Sequence, residues 1–117
     1  EAAMTAAHYQ LDNLVAVVDS NGLQLDGFVC DVMNIDPVSQ KWQSFGWHVI
    51  QCDGHDFGEL IAAFESANST RCKPTVVIAD TTKGKGVSFM EDQCDWHGKC
   101  PTDEETSRAL SELGDAA

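Results

Sequence analysis

Leu14-Val15-Ala16-Val17-Val18-Asp19-Ser20-Asn21-Gly22 is the stretch on which the fold turns. A continuous apolar run, rich in β-branched residues and closed by a polar turn with a glycine, is how a parallel strand covered on both faces is written. Trp47-His48-Val49-Ile50 and Thr75-Val76-Val77-Ile78-Ala79 repeat the pattern. Between the first two runs, residues 36–45 place Val38, Trp42 and Phe45 at i, i+4 and i+7, with Pro37 in a first-turn position that needs no amide hydrogen. Between the second and third, residues 56–67 carry Phe57, Leu60, Ile61, Phe64 and Ala67 on one helical stripe. A further helix is expected over residues 1–12, where Ala3, Met4, Ala7 and Leu11 recur at helical spacing. Alternating strands and helices predict an α/β fold of three layers. Its sheet is mainly parallel, with helices on both faces and right-handed crossovers.

The 117 residues, 43% of them hydrophobic, suffice for one domain around a single core. Seven basic residues against 19 acidic ones give a formal charge of −12. This argues against a nucleic-acid or membrane-surface partner, because neutralising phosphates takes clustered cations. No apolar run approaches the roughly 18 residues of a membrane span, and no signal peptide opens the chain. Five cysteines, an odd number without a CxxC pair, suit a reducing compartment, so a cytoplasmic location is expected. The chain starts at Glu1, directly in helix-like sequence, and reads as a piece of a longer one.

Ligands of open parallel sheets sit at the carboxyl ends of the strands, which directs attention to the loops there. After the first strand, Asn21 offers an amide oxygen, and the turn at Gly22 could bring a backbone carbonyl alongside. Such all-oxygen donors suit Mg²⁺ or Ca²⁺, although Ser-Asn-Gly also makes an ordinary turn. After the third strand, Thr81-Thr82-Lys83-Gly84-Lys85-Gly86-Val87-Ser88 combines lysines with glycines that admit close backbone approach. A phosphate or diphosphate is a sensible guest, and a basic exposed turn is the alternative. The spacing is not that of a Walker loop.

Residues 81–101 form a long irregular stretch containing Trp96-His97-Gly98, where His97 could serve a ligand or merely be exposed. Cys94, His97 and Cys100 invite a zinc reading, but three ligands at that spacing match no common finger. Asp56 or His55 is expected to cap the helix that follows the second strand. Thr102 with Glu105 three residues on spells a capping box, and Ala109, Leu110 and Leu113 give the last helix a thin apolar stripe. Residues 91–117 hold eight acids and two bases, a net of −6, which reads mainly as solvated helix surface.

Taken in order, these segments resemble the thiamine-diphosphate-binding domain of transketolases. The likeness runs from Ala7-His8-Tyr9 and Leu11-Asp12-Asn13-Leu14 through Val18-Asp19-Ser20-Asn21-Gly22-Leu23-Gln24-Leu25-Asp26-Gly27 and Asp53-Gly54-His55-Asp56. It continues through Lys73-Pro74-Thr75 to Lys83-Gly84-Lys85-Gly86-Val87-Ser88-Phe89-Met90-Glu91 and Trp96-His97-Gly98-Lys99. The last two segments are most similar to the N-terminal subunit of split transketolases, which works with a separate C-terminal subunit. Residues 1–117 would then be the later part of that N-terminal domain. Other thiamine-diphosphate enzymes, such as a dehydrogenase E1 or a deoxyxylulose-phosphate synthase, and a nonenzymatic α/β nucleotide- or partner-binding module stand as alternatives.

The resemblance implies roles residue by residue. Asn21 and the backbone carbonyl of Leu23 would bind Mg²⁺, with Ca²⁺ as a substitute. Leu25 would lie against the thiamine diphosphate, Lys83 would meet its diphosphate, and His97 would touch both cofactor and sugar substrate as the catalytic histidine. Glu1 would lie near a subunit interface in a homo-oligomer. The reaction implied is transfer of a two-carbon ketol unit from a ketose phosphate to an aldose phosphate. A Gly-Asp-Gly supplying another metal ligand is expected shortly before Glu1, outside these residues. The isolated 117 residues are therefore expected to bind the cofactor poorly and to turn nothing over.

Overall fold

The computed structural model describes residues 1–114. Where composition predicts one core, these residues form two compact units: residues 1–20 with 35–81, and residues 21–34 with 82 onward.

The first unit is built on a fully parallel three-stranded sheet of order β1 (Val15–Ser20), β5 (Thr75–Asp80), β4 (His48–Asp53). β5 is central, and its alternate residues point to opposite faces. On one face Val76 and Ile78 join Ala6 of α1 (Ala2–His8), with Val38 and Trp42 of α3 (Val38–Ser44) packed against them. On the other face Val77 and Ala79 meet Ala63 and Leu60 of α4 (Phe57–Ser69). Helices thus cover both faces, as the strand and helix alternation predicts. Val76 and Val77 are wholly buried, each contributing on the order of 1.5–3 kcal/mol relative to exposure. Trp47 fixes α1 to this core: its indole N–H donates to the Ala3 carbonyl at 2.9 Å, and its ring meets Trp42 edge-on at 4.7 Å.

Several elements depart from the sequence reading for identifiable reasons. The first helix stops at His8 rather than at residue 12, because Gln10 takes a left-handed conformation (φ 51°). Leu11 N–H then reaches the Ala6 carbonyl and Gln10 N–H the Ala7 carbonyl, which closes the helix in a Schellman arrangement. Pro37 is the residue before α3 rather than inside its first turn. The second strand begins after Trp47 and extends to Asp53. Its following helix is capped by Asp56, whose Oδ1 accepts from Gly58 N–H at 2.7 Å and Glu59 N–H at 3.0 Å.

Two expectations about burial fail. β1 alternates exposed and half-buried residues instead of being covered on both faces, since it pairs only with β5 and Val17 stays 55% exposed. The stripe on α4 also splits: Leu60, Ala63 and Ala67 turn toward the sheet, while Phe57, Ile61 and Phe64 remain exposed.

The second unit has little regular structure. β2 (Leu23–Gln24) pairs with β3 (Gly27–Phe28) in a minimal antiparallel ladder, followed by one turn of helix, α2 (Val29–Val32). Periodicity cannot reveal two-residue strands. Residues 81–101 are irregular as expected, apart from a 3₁₀ turn at Cys94–His97, and α5 (Asp103–Gly114) ends the described chain. The capping box is present: Thr102 N–H donates to Glu105 Oε2 at 2.8 Å, and Glu105 N–H to Thr102 Oγ1 at 3.2 Å. All five cysteines are free thiols, and burial, with the acids Glu59, Asp80 and Asp53 nearby, pushes the Cys52 thiol up. Among the described residues no helix is long and apolar enough to cross a membrane.

Candidate functional site

The residues that the sequence singles out in separate segments line one cavity of the second unit, about 180 Å³ in volume. Asn21, Leu23 and Leu25 come from the segment after β1, and Lys83 and His97 from the segment after β5. Gln24 and Cys94 complete the wall. Glu1 lies elsewhere, in the first unit, where its carbonyl accepts from Thr5 N–H and Thr5 Oγ1 at 3.0 Å each.

Each wall is fixed by short-range geometry. Gly22 adopts φ +70°, a conformation that glycine takes without steric cost, and Asn21 Oδ1 accepts from Leu23 N–H at 3.0 Å. The Gly22 carbonyl accepts from Val29 N–H at 2.9 Å and closes the segment on α2. The Gln24 side chain is held back against the Met33 carbonyl at 2.5 Å.

The Lys83 segment is wound more tightly. Asp92 N–H donates to the Lys83 carbonyl at 3.0 Å, Val87 N–H to Gly84 at 3.1 Å, and Met90 N–H to Val87 at 2.8 Å. Gly84 sits at φ +74° with the Met90 backbone so close that an added Cβ would lie 2.5 Å from the Met90 oxygen. Farther along, Trp96 N–H donates to the Phe89 carbonyl at 3.1 Å, its ring stands edge-on to Phe89, and Lys99 lies 4.1 Å over it. That stack anchors the 3₁₀ turn whose last residue is the exposed His97.

The electrostatics single out one cation. Lys85 pairs with Glu91 at 3.8 Å and Lys99 with Glu105 at 2.8 Å, whereas Lys83 has no ion pair among the described residues and its side chain borders the cavity. An unpaired ammonium beside an imidazole and an amide oxygen can hold a phosphate-bearing ligand. The zinc reading fails: no group of three or more His, Cys, Asp or Glu side chains able to hold a metal occurs among the described residues. Asn21 and a carbonyl still suit Mg²⁺, which binds through one or two protein oxygens and shares the rest of its shell with water and phosphate.

Sequence reasoning missed Gln24 and Cys94. Cys94 was visible only through its spacing, since i and i+3 eclipse in a 3₁₀ turn and put it on the His97 side. Gln24 carries no such signal.

Fold and site define an α/β domain that presents an anion-ready cavity on the segments following two adjacent parallel strands. Comparison with known proteins makes this definite. The family model described as "Transketolase, thiamine diphosphate binding domain" matches residues 1–116, and the chain belongs to that family. It is 48% identical over 115 residues to an apulose-4-phosphate transketolase subunit of Actinobacillus succinogenes, covering 98% of this chain and 41% of that protein. It is 40% identical over 113 residues to 6-deoxy-6-sulfo-D-fructose transketolase subunit SqwG of a Clostridium species, covering 97% and 41%. Among solved structures, the transketolase of Campylobacter jejuni superposes with a TM-score of 0.89 at 31% identity, over 97% of this chain and 18% of that one. The chain thus spans about two fifths of the length of the subunit-type relatives.

Proposed function

We propose that this chain is the later part of the N-terminal domain of a split transketolase, and that its cavity receives the diphosphate end of thiamine diphosphate together with Mg²⁺. The observation that carries the reading is the unpaired Lys83, sharing one cavity with Asn21, Leu23, Leu25 and His97 in an otherwise acidic chain.

In this reading the Asn21 side-chain oxygen and the Leu23 carbonyl hold the cation, with Ca²⁺ able to replace it. Lys83 neutralises diphosphate oxygens, and Leu25, 64% exposed, gives the cofactor an apolar seat. The cofactor, when bound, supplies the carbanion chemistry by which a two-carbon ketol unit leaves a ketose and joins an aldose. His97, at the exposed rim, orients a substrate hydroxyl or carbonyl oxygen and moves a proton there. Sugar phosphates are the proposed substrates, a C-terminal subunit or domain the proposed partner, and a cytoplasmic homo-oligomer with Glu1 near its interface the proposed assembly. The names of the relatives support this, two of them being subunits of apulose-4-phosphate transketolases.

The test is titration of the full-length protein with thiamine diphosphate, with and without Mg²⁺, followed by ketol-transfer assays on a panel of ketose phosphates. Mg²⁺-dependent binding that weakens at least about tenfold in Asn21→Ala and in Lys83→Met, roughly 1.4 kcal/mol, is expected. A folded protein that binds no thiamine diphosphate overturns the reading.

A further inference from the structure

The face of α5 turned toward the rest of its unit is charged. Its least exposed residues are Glu105, Ala109 and Glu112, at i, i+4 and i+7, whereas Leu110 and Leu113, expected to form an apolar stripe, are largely exposed. The inward acids grip the 82–99 segment at two points.

At the first point, Glu112 Oε2 accepts from the Ser88 backbone N–H at 2.5 Å and Oε1 from the Ser88 hydroxyl at 3.0 Å. Arg108 completes a triangle, donating to Glu112 at 3.1 Å and to Ser88 Oγ at 3.2 Å, with its guanidinium 4.4 Å over Phe89. Leu113 covers Gly86 so closely that an added Cβ would lie 3.0 Å from it. At the second point, Glu105 holds Lys99 at 2.8 Å, and Lys99 stacks on Trp96 next to His97. Charge-assisted hydrogen bonds to a loop backbone are stronger than neutral ones and demand a fixed geometry.

We infer that α5 is a two-point brace for the ligand cavity, with Glu112 positioning the Lys83 segment through Ser88 and Glu105 positioning the His97 turn through Lys99 and Trp96. The inference rests on the cofactor reading for its functional consequence, while its structural half stands alone. Neither glutamate borders the cavity, so each acts by holding a neighbour. Loosening the Glu112 point frees the diphosphate-side lysine, and loosening the Glu105 point frees the substrate-side histidine.

The test uses the full-length holoenzyme and its cofactor-free form. In the cofactor-free protein, Glu112→Ala is expected to speed amide exchange at least tenfold over residues 83–93 and to leave 94–99 within twofold. Glu105→Gln is expected to do the reverse. In the holoenzyme, Glu112→Ala raises the Kd for Mg²⁺-thiamine diphosphate about tenfold with kcat at saturating cofactor unchanged, while Glu105→Gln lowers kcat with the Kd unchanged. Glu112→Gln, which keeps an oxygen for Ser88, recovers part of the affinity. Arg108→Met gives a milder copy of Glu112→Ala should that variant fold poorly.

Unchanged loop exchange in a folded Glu112→Ala or Arg108→Met overturns the brace. Faster exchange with unaltered Kd and kcat overturns its positioning role. Wild-type protein that binds no cofactor overturns the cofactor reading instead, and the exchange data then decide the brace by themselves.

Discussion

Replacing Gly84 by alanine tests whether the Lys83 segment is as tightly wound as its hydrogen bonds indicate. Gly84 sits at φ +74°, where a Cβ costs about 1 kcal/mol before any contact is counted. The added carbon would lie 2.5 Å from the Met90 oxygen, 2.7 Å from its carbonyl carbon and 2.8 Å from its Cβ. Backbone cannot swing aside as a side chain can, so the strand of loop from residue 90 to 93 must move. That movement strains the Asp92 to Lys83 bond (3.0 Å) and the Gln93 to Met90 bond (3.2 Å), each worth about 1 kcal/mol net. The combined local cost is roughly 3 kcal/mol, about a hundredfold in the population of the intact loop.

Two other glycines separate the contributions. Gly22 has φ +70° with nothing within 4 Å, so Gly22→Ala carries only the conformational cost, about 1 kcal/mol. Gly98 has φ −134° and open space, so Gly98→Ala is neutral within about 0.5 kcal/mol. Amide exchange across residues 82–93 and titration with Mg²⁺-thiamine diphosphate in the full-length protein should both show the Gly84 variant far weaker than the Gly98 variant. Gly84→Ala within threefold of wild type in both measurements would refute the argument that this backbone packing sets the position of Lys83.

Thr75 hides its hydroxyl at the start of the central strand with no hydrogen-bond partner among the described residues. The nearly isosteric Thr75→Val should therefore raise unfolding free energy by about 1 kcal/mol in urea titration, since only an unsatisfied group is lost. Acid should loosen the Glu105 end of α5. Lys99 beside it, and then the Thr102 amide, hold the Glu105 carboxyl down to about 2, so its contribution is complete above the ordinary carboxylate range and fades as pH falls from about 4.5 toward 2. Exchange of the α5 amides followed across that window reads this, and Lys99→Met should move the loss to higher pH.

The parallel sheet was legible because its strands are continuous apolar runs, and the loop chemistry was legible because glycine and lysine at strand ends have few other uses. Asn21, Leu23, Leu25, Lys83 and His97 do border one cavity. The burial of β1 was not legible. Val15 and Val17 read as interior whether or not anything packs on them, because a sequence records what a strand is suited to meet. Here β5 takes one edge and no helix covers Val17. The α4 stripe misled for a related reason: Phe57, Ile61 and Phe64 share the period of a core-facing helix, yet the small residues Ala63 and Ala67 make the close approach to the sheet. Close packing selects small side chains at the contact, which apolar periodicity alone does not weigh.

Charge was the least legible property, because a net value says nothing about which groups neutralise one another. Reading the acidic excess after residue 91 as solvated surface assigns Glu105 and Glu112 to water, whereas both are engaged in holding a loop. The consequence for the cations is direct. In the 82–99 segment those acids and Glu91 occupy the lysines outside the cavity, or hold the backbone that carries them, and Lys83 is the lysine left without an ion pair among the described residues. An anion approaching an acidic protein meets net repulsion at long range, but salt screens that within about 10 Å, and inside the cavity the nearest unpaired charge decides. The acids therefore do more than oppose an anionic ligand: by pairing with every other lysine of the segment, they leave one positive charge free at the cavity wall and give the diphosphate a defined place to bind.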